Sequence, residues 1–393
     1  MNLGPNRVKD SYQYVLNQSG ANAITLGNGD AVNWNAGGVV VTGNLIISGY
    51  TFKDNVNTFN LNTFSYVAGG TGNKALGVKS NVAGGESNSG NGGYSNVAGG
   101  LGNIADSFGS NVAGGTSNRA FNIVANVAGG SNNTAQGIGS NVAGGLDNSA
   151  SAYYSNVAGG TGNTASGDYS NIAGGRTNTA KSSYSNVAGG RTNTASGDYS
   201  NIAGGDNNAA LISYSNVAGG SNNTAKSTYS NVAGGGNNTA GEFASSVAGG
   251  YFNTASGLYS NVAGGSSNNT FSSYSNVAGG SNNTAGGENS NVAGGDNNAA
   301  SGQYSSIVGG RRAKIPATHT GAGVWADGQD RDHNSRGAHT CSLDFISGVY
   351  LRLPSFTGSS SQTGNLGELK ISGQFLYVAT GVNLWGRATI SGF

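Results

Sequence analysis

The chain has little of what ordinary globular domains are built from. Of its 393 residues, 9% are charged, three are proline, three are tryptophan and one, Cys341, is cysteine. A single cysteine has no partner for an intramolecular disulfide and leaves a zinc cluster without ligands. A formal net charge of +1 provides no basic footprint for nucleic acid. No apolar run approaches the roughly 20 residues that a membrane-spanning helix needs. The segment MNLGPNRVKD at residues 1–10 lacks the apolar core of a signal peptide. If the protein works outside a cell, the expectation is delivery by another route, such as release by lysis as part of a virus particle. Large apolar residues are too few to fill the two or three cores that this length would allow.

What the chain has instead is glycine, 72 residues of it, and a period. Ser-Asn-Val-Ala-Gly-Gly, or a close variant, returns every fifteen residues. The valine or isoleucine falls at Val67, Val82 and Val97 and continues in register to Val277, Val292 and Ile307. Seventeen copies result. A strict short period marks a solenoid in which each repeat is one coil stacked on its neighbours. The fixed period and scarce proline argue against disorder and collagen.

One copy, SNVAGGTGNTASGDY from Ser155 to Tyr169, reads as a short strand, a Gly-Gly corner, a second short strand and a return. Fifteen residues hold two such strands and leave no room for a helix, which fits a flattened coil of a parallel β-roll. Glycine at the corner supplies positive φ or close backbone approach. Val157 and Ala158 are adjacent in the strand, so they point to opposite faces. One face lines the roll and the other stays apolar and exposed unless something covers it. Burial of about one valine and one alanine per coil is a small return at ~25 cal/mol per Å² against the ordering of fifteen residues. Three rolls packed about a common axis would cover the second face, so a homotrimer is expected. The two asparagines of the repeat, Asn156 and Asn163 in this copy, are both expected to stack as hydrogen-bonded amide ladders. Seventeen coils at ~4.8 Å make a shaft about 80 Å tall.

The pattern SNVAGG-x-x-N-x-A-x-x-x-Y resembles the head repeats of YadA-like trimeric autotransporter adhesins over about residues 64–310. That resemblance implies an all-β, left-handed parallel β-roll of about seventeen coils, assembled as a homotrimer. Two departures stand out, the missing signal peptide and the missing C-terminal membrane-anchor barrel. The segments VWADGQDRDHNSRGAHTCSLDFISGVYLRL and GELKISGQFLYVATGVNLWGRATISGF look like sequences that follow such repeats in bacteriophage tail fibres. The resemblance therefore implies a virion fibre that recognises a bacterial surface, with a bacterial surface fibre as the alternative location.

Three regions follow. Residues 1–63 lie outside the period, with strands expected at 23–26 and 39–47 and a short helix or peg at 10–17; residues 1–30 are the candidate for docking onto a phage tail or baseplate protein. Residues 64–315 form the shaft, expected to end where Pro316 removes a ladder hydrogen bond. Residues 316–393 form a small β tip domain. Its candidate receptor contacts are Trp325, Asp327, Asp330, Asp332, His333, Tyr350, Tyr377 and Trp385, with a cell-surface glycan or protein as the expected receptor. Tyr154, Tyr169, Tyr184, Tyr199, Tyr214 and Tyr229 recur in successive coils, and such a row stacks on itself or against sugar rings.

The loop DGQDRDHN offers carboxylates but misses the EF-hand spacing. His319, His333 and His339 lack a His-x-His pair, so a metal is neither assigned nor excluded, and no cofactor is expected. No repeated carboxylate pair exists for glycoside cleavage. Asp327, Asp330, Asp332, Asp344 and Glu368 are where such a pair could form between chains, but the protein is read as a non-enzyme. Two rival readings remain. An ice-binding array would need Thr-x-Thr on many coils, and only Thr177/Thr179 and Thr192/Thr194 supply it. A structural spacer would leave adhesion to another protein.

Overall fold

The computed structural model describes residues 64–344 without a break, together with short strands on either side. Within residues 1–51, Asn17–Gln18, Ile24–Thr25 and Ala31–Val32 form an antiparallel sheet. The expected strand at 23–26 is met by Ile24–Thr25, whereas 10–16 and 39–47 lie outside the described residues. Near the other end, Leu369–Ser372, Phe375–Gly381 and Leu384–Thr389 pair antiparallel. Residues 64–344 form a parallel β-solenoid.

Each coil carries two strands of two residues, and like pairs with like. Asn156–Val157 pairs in parallel with Asn171–Ile172, and Thr164–Ala165 with Thr179–Ala180. A third column consists of single bridges, with Thr161 set between Leu146 and Arg176. Because the register is always one repeat, equivalent side chains stand directly above one another. Alternation then sorts them. Ser155, Val157, Asn163 and Ala165 are fully buried, while Ala158 between them in sequence faces outward. The interior is thus a column of valine and alanine flanked by buried serine and asparagine, and it runs from Ala75 to Ala326 with Gly90 and Thr270 at two of the alanine positions.

The two asparagine columns do different work, which corrects the expectation of two equal ladders. The first column does form an amide ladder: Asn156 Nδ2 donates to Asn171 Oδ1 at 2.7 Å and Asn171 Nδ2 to Asn186 Oδ1 at 2.9 Å. The ladder breaks only where Ser246 replaces asparagine, between Asn231 and Asn261. The second column binds backbone instead. Asn163 Nδ2 donates to the carbonyl of Gly159 in its own coil (2.9 Å) and of Gly175 in the next (3.0 Å). Its Oδ1 accepts the backbone N–H of Asn178 at 2.9 Å. A corner is geometrically unable to satisfy its own backbone groups in a ladder, and a buried amide with two donors and an acceptor supplies what is missing.

The paired glycines also divide their roles. The second of each pair is fixed by its own chain. Gly160 has φ of +89°, and a Cβ there would stand 2.0 Å from the Gly175 carbonyl oxygen and 2.6 Å from Asn163 Nδ2. A Cβ on the first glycine would meet nothing within 4 Å in any of the seventeen copies, from Gly69 to Gly309. In eight of those copies φ also lies outside the left-handed range, as at Gly174 and Gly189.

The solenoid does not stop at Ile315. Ser306–Gly309 pairs in parallel with Gly323–Ala326, and that strand with Cys341–Asp344. On the other sheet Ala313–Ile315 pairs with His333–Asn334. Counting these, one of the two main sheets holds nineteen strands and the other twenty. The boundary expected at 315 therefore moves to 344 or beyond. Pro316 does remove one ladder donor, but it sits at a corner, where two extra residues let the chain detour before the strand resumes at Gly323. In the next coil the insertion falls instead in the acidic loop DGQDRDHN.

Candidate interaction surfaces

The outward face of the first sheet is uniform and carries no charge. Through the seventeen repeats its three columns hold asparagine, serine or Tyr66; alanine, or valine at Val308; and glycine alone. Every member of the alanine column is exposed. The charged residues of the repeats, such as Glu86, Arg119, Asp168, Arg191 and Asp296, all lie on the other sides of the coil. An exposed band of this length with neither charge nor bulk is unusual for a surface that meets only water. The compositional signal was present in the sequence as the first glycine of each pair, which no intrachain contact requires in any copy and no backbone angle requires in eight of them, the other nine having φ of +153° to +159°.

The tyrosine column is a continuous stack. From Tyr169 to Tyr229 successive ring centroids are 4.8–5.1 Å apart with interplanar angles of 1–13°, and Tyr154 extends the series at 5.7 Å. Where Ala244 interrupts it, Phe243 fills the gap edge-on between Tyr229 and Tyr259, and Tyr259 stacks on Tyr274. These tyrosines occupy left-handed backbone, φ +49° to +61° for the first six, which costs a non-glycine residue about 1–2 kcal/mol. Stacking contributes roughly 0.5–1.5 kcal/mol per pair and offsets most of that. The ring faces cover one another within the run, so the column presents edges and hydroxyls to solvent. Beside it, Glu242, Leu258, Phe271 and Glu288 line a shallow recess of about 400 Å³.

The described C-terminal candidates stand in different settings. Trp325 is exposed on the same sheet, one coil on, where it pairs with Gly309 beside a bulge at Val308. His333 is fully buried, in the interior column that asparagine fills in the repeats, with Nε2 3.3 Å from Asp327 Oδ1; burial removes it from the candidate receptor contacts. The loop carboxylates are matched by cations. Asp327 pairs with Arg331 (3.3 Å), Asp330 with Arg312 (3.1 Å), and Asp332 with Arg312 (2.7 Å) and Lys314 (3.2 Å). Arg311 reaches both Asp296 and Asp330. Among the described residues no group of three or more His, Cys, Asp or Glu is placed to hold a metal ion. Tyr377 stands opposite Lys370 and Arg387, and Trp385 opposite Ala379, in the C-terminal sheet. Tyr350 lies outside the described residues, as do Glu368 and the Asp344 side chain.

Hydrogen bonding from Lys314, reinforced by Arg312, holds the Asp332 carboxyl below its ordinary value, and Arg191 does the same for Asp206. A depressed carboxylate contributes stability that is present above the unfolded value of about 3.9 and is lost as pH falls through the folded value. Thermal midpoints of the wild type and Asp332→Asn should therefore differ slightly at pH 7 and converge in strong acid. A gap that persists at pH 2 would assign the effect to packing. Both pairs are exposed, so the difference is expected to be small.

No family model matches the chain, and no curated protein matches it.

Proposed function

We propose that the chain is a homotrimeric fibre of the bacteriophage tail-fibre type, whose stiff shaft holds a C-terminal recognition segment at a bacterial surface. The observation that carries the assembly is the uniform face. Alanine is kept through sixteen coils on this exposed face, and glycine through seventeen at a position where one chain alone leaves open space. A covering surface must match a repeat of ~4.8 Å over about 80 Å, and a second copy of this chain has that repeat. Three copies about an axis cover every such face and leave no edge of the set unpaired.

The shaft's other features support its role as a spacer. Tyrosine faces are taken up by each other and loop carboxylates by neighbouring cations, so residues 64–344 hold little that is left unsatisfied for a receptor. Recognition then falls to residues 345–393, presented in three copies that act together through raised effective concentration. The rival reading, a spacer whose adhesion lies in another protein, makes the opposite forecast for the same segment.

Light scattering behind size exclusion tests the assembly: a trimer weighs about 116 kDa, three times the 38.8 kDa of one chain. A monodisperse folded monomer would overturn it. Co-sedimentation with intact bacterial cells tests the tip. Binding should be lost when the chain is cut after Asp344, a point that spares the last two coils. Undiminished binding by the shortened trimer would give adhesion to the shaft, and absence of binding by the full chain to any cell or surface polysaccharide favours the spacer.

A further inference from the structure

A repetitive interface has a built-in ambiguity. If every coil presents asparagine, alanine and glycine to its neighbour, two copies can slide by one coil, about 4.8 Å, and recover nearly all their contacts. The loss is one coil's worth of burial at the ends. Register is weakly specified wherever the facing pattern simply repeats. Something other than the repeats has to set which coil meets which.

The structure places bulk on this face only at its two ends. Sixteen alanines run from Ala68 to Ala293. In the last three coils Val308, Trp325 and Leu343 stand on this face, exposed by 51%, 51% and 46% in the single chain. Val308 sits in a bulge, so Trp325 pairs with Gly309 beside it; Val324 points inward, and Trp325 pairs in register with Leu343. At the opposite end Tyr66, 60% exposed, stands where fourteen of the repeats have asparagine.

We infer that Val308, Trp325 and Leu343 form an axial lock between copies of this chain, fixing the coil-to-coil register that the alanine–glycine face leaves free. The inference rests on the homotrimer proposed above. In register, three apolar clusters meet at one level and bury one another. After a slip of one coil, the ring of Trp325 meets the level of Val308 or Leu343, and Val308 or its counterpart meets the level of Ala293, where the face carries only a methyl group. Overpacking of that size opposes the shifted arrangement, and exposed valine and leucine are left behind at the end. Trp325 is on this reading an assembly residue, and the occupant of its surface is the neighbouring copy.

The test uses the full chain carrying a small diazirine amino acid in place of Ala173, refolded as a mixture of ordinary and isotope-labelled chains. Mass spectrometry of the irradiated product identifies which coil of another copy is linked to position 173. The wild type should give one coil. The variant Val308→Ala/Trp325→Ala/Leu343→Ala should keep the same solution mass while its links spread over several coils spaced fifteen residues apart. Links confined to one coil in an assembled variant would overturn the lock. So would loss of cell binding by Trp325→Ala with its links still on one coil, which would return Trp325 to the receptor. Should the triple variant fail to fold, Trp325→Ala alone decides by the same criterion. A wild type that is monomeric and gives no links fails the homotrimer itself, a result that light scattering distinguishes before irradiation.

Discussion

Gly190→Ala is expected to unfold the shaft locally, while Gly189→Ala, one residue away, leaves the fold intact and abolishes assembly. At Gly190 φ is +87°, and a methyl carbon would lie 2.1 Å from the Gly205 carbonyl oxygen and 2.5 Å from Asn193 Nδ2. Left-handed backbone alone costs alanine about 1–2 kcal/mol. The overlap adds a displacement of the next coil, and that carbonyl is the acceptor for both Arg191 N–H and Asn193 Nδ2. The whole loss should exceed the ~4 kcal/mol that separates ordinary substitutions from exceptional ones. Gly189 has no atom within 4 Å of a Cβ and no left-handed φ. Its substitution should shift the melting of a monomeric chain by little and should convert a 116 kDa species, if three chains of 38.8 kDa assemble, into smaller ones. Circular dichroism melts and light scattering on the two variants read the two effects separately. Equal destabilisation of both, with unchanged mass, would remove the distinction between an intrachain and an interchain glycine.

Asn178→Ala should be the second most damaging single change among these. The side chain donates to the carbonyls of Gly174 and Gly190 (2.9 and 3.0 Å) and accepts the N–H of Asn193 (2.9 Å), all around a fully buried amide. Truncation leaves two backbone groups, the Gly174 carbonyl and the Asn193 N–H, without their partner at roughly 1–3 kcal/mol each, while the Gly190 carbonyl keeps the Arg176 N–H. A water admitted to the space recovers part, so a net loss of about 2–4 kcal/mol is expected. Asn186→Ala, in the partly exposed ladder, removes two amide contacts that water replaces, and about 1 kcal/mol is expected there. Asn178→Asp preserves shape but aims a carboxylate at two carbonyl oxygens, and should be worse than alanine. Urea titrations of the three variants rank them. A ladder substitution that proves as costly as the buried one would refute the division of labour between the two columns.

Much of this was legible beforehand because the period is strict. Fifteen residues with valine and alanine adjacent dictate two short strands, parallel stacking and one apolar face turned outward, and Val157 and Ala158 are found so. The tyrosine stack follows from the same spacing. The two asparagines could not be told apart, since Asn156 and Asn163 are the same letter in the same repeat. Only the fold shows that one lies on a strand face and the other behind a corner. The last coils were hidden for the opposite reason. Seventeen and eighteen residues separate Ser306, Gly323 and Cys341, so Trp325 and Leu343 fall out of phase with the alanines of the repeats. Pro316 was read as a stop when it marks a detour. His333 looked like a surface ligand because histidine is polar, and its burial beside Asp327 depends on an insertion that the period cannot forecast.

The uniform closure of each coil makes length a heritable quantity that changes in whole steps. Losing fifteen residues between Ser80 and Ser305, for instance 171–185, joins Ser170 to Asn186 where it had met Asn171. Every ladder, core column and glycine corner then meets its own kind again. Losing fourteen misaligns everything that follows. A gene carrying such near-identical segments is prone to gain or lose them by unequal recombination. Each event would shorten or extend the protein's reach by about 4.8 Å while both ends stay as they were. The solenoid is a ruler that evolution can cut only at its graduations.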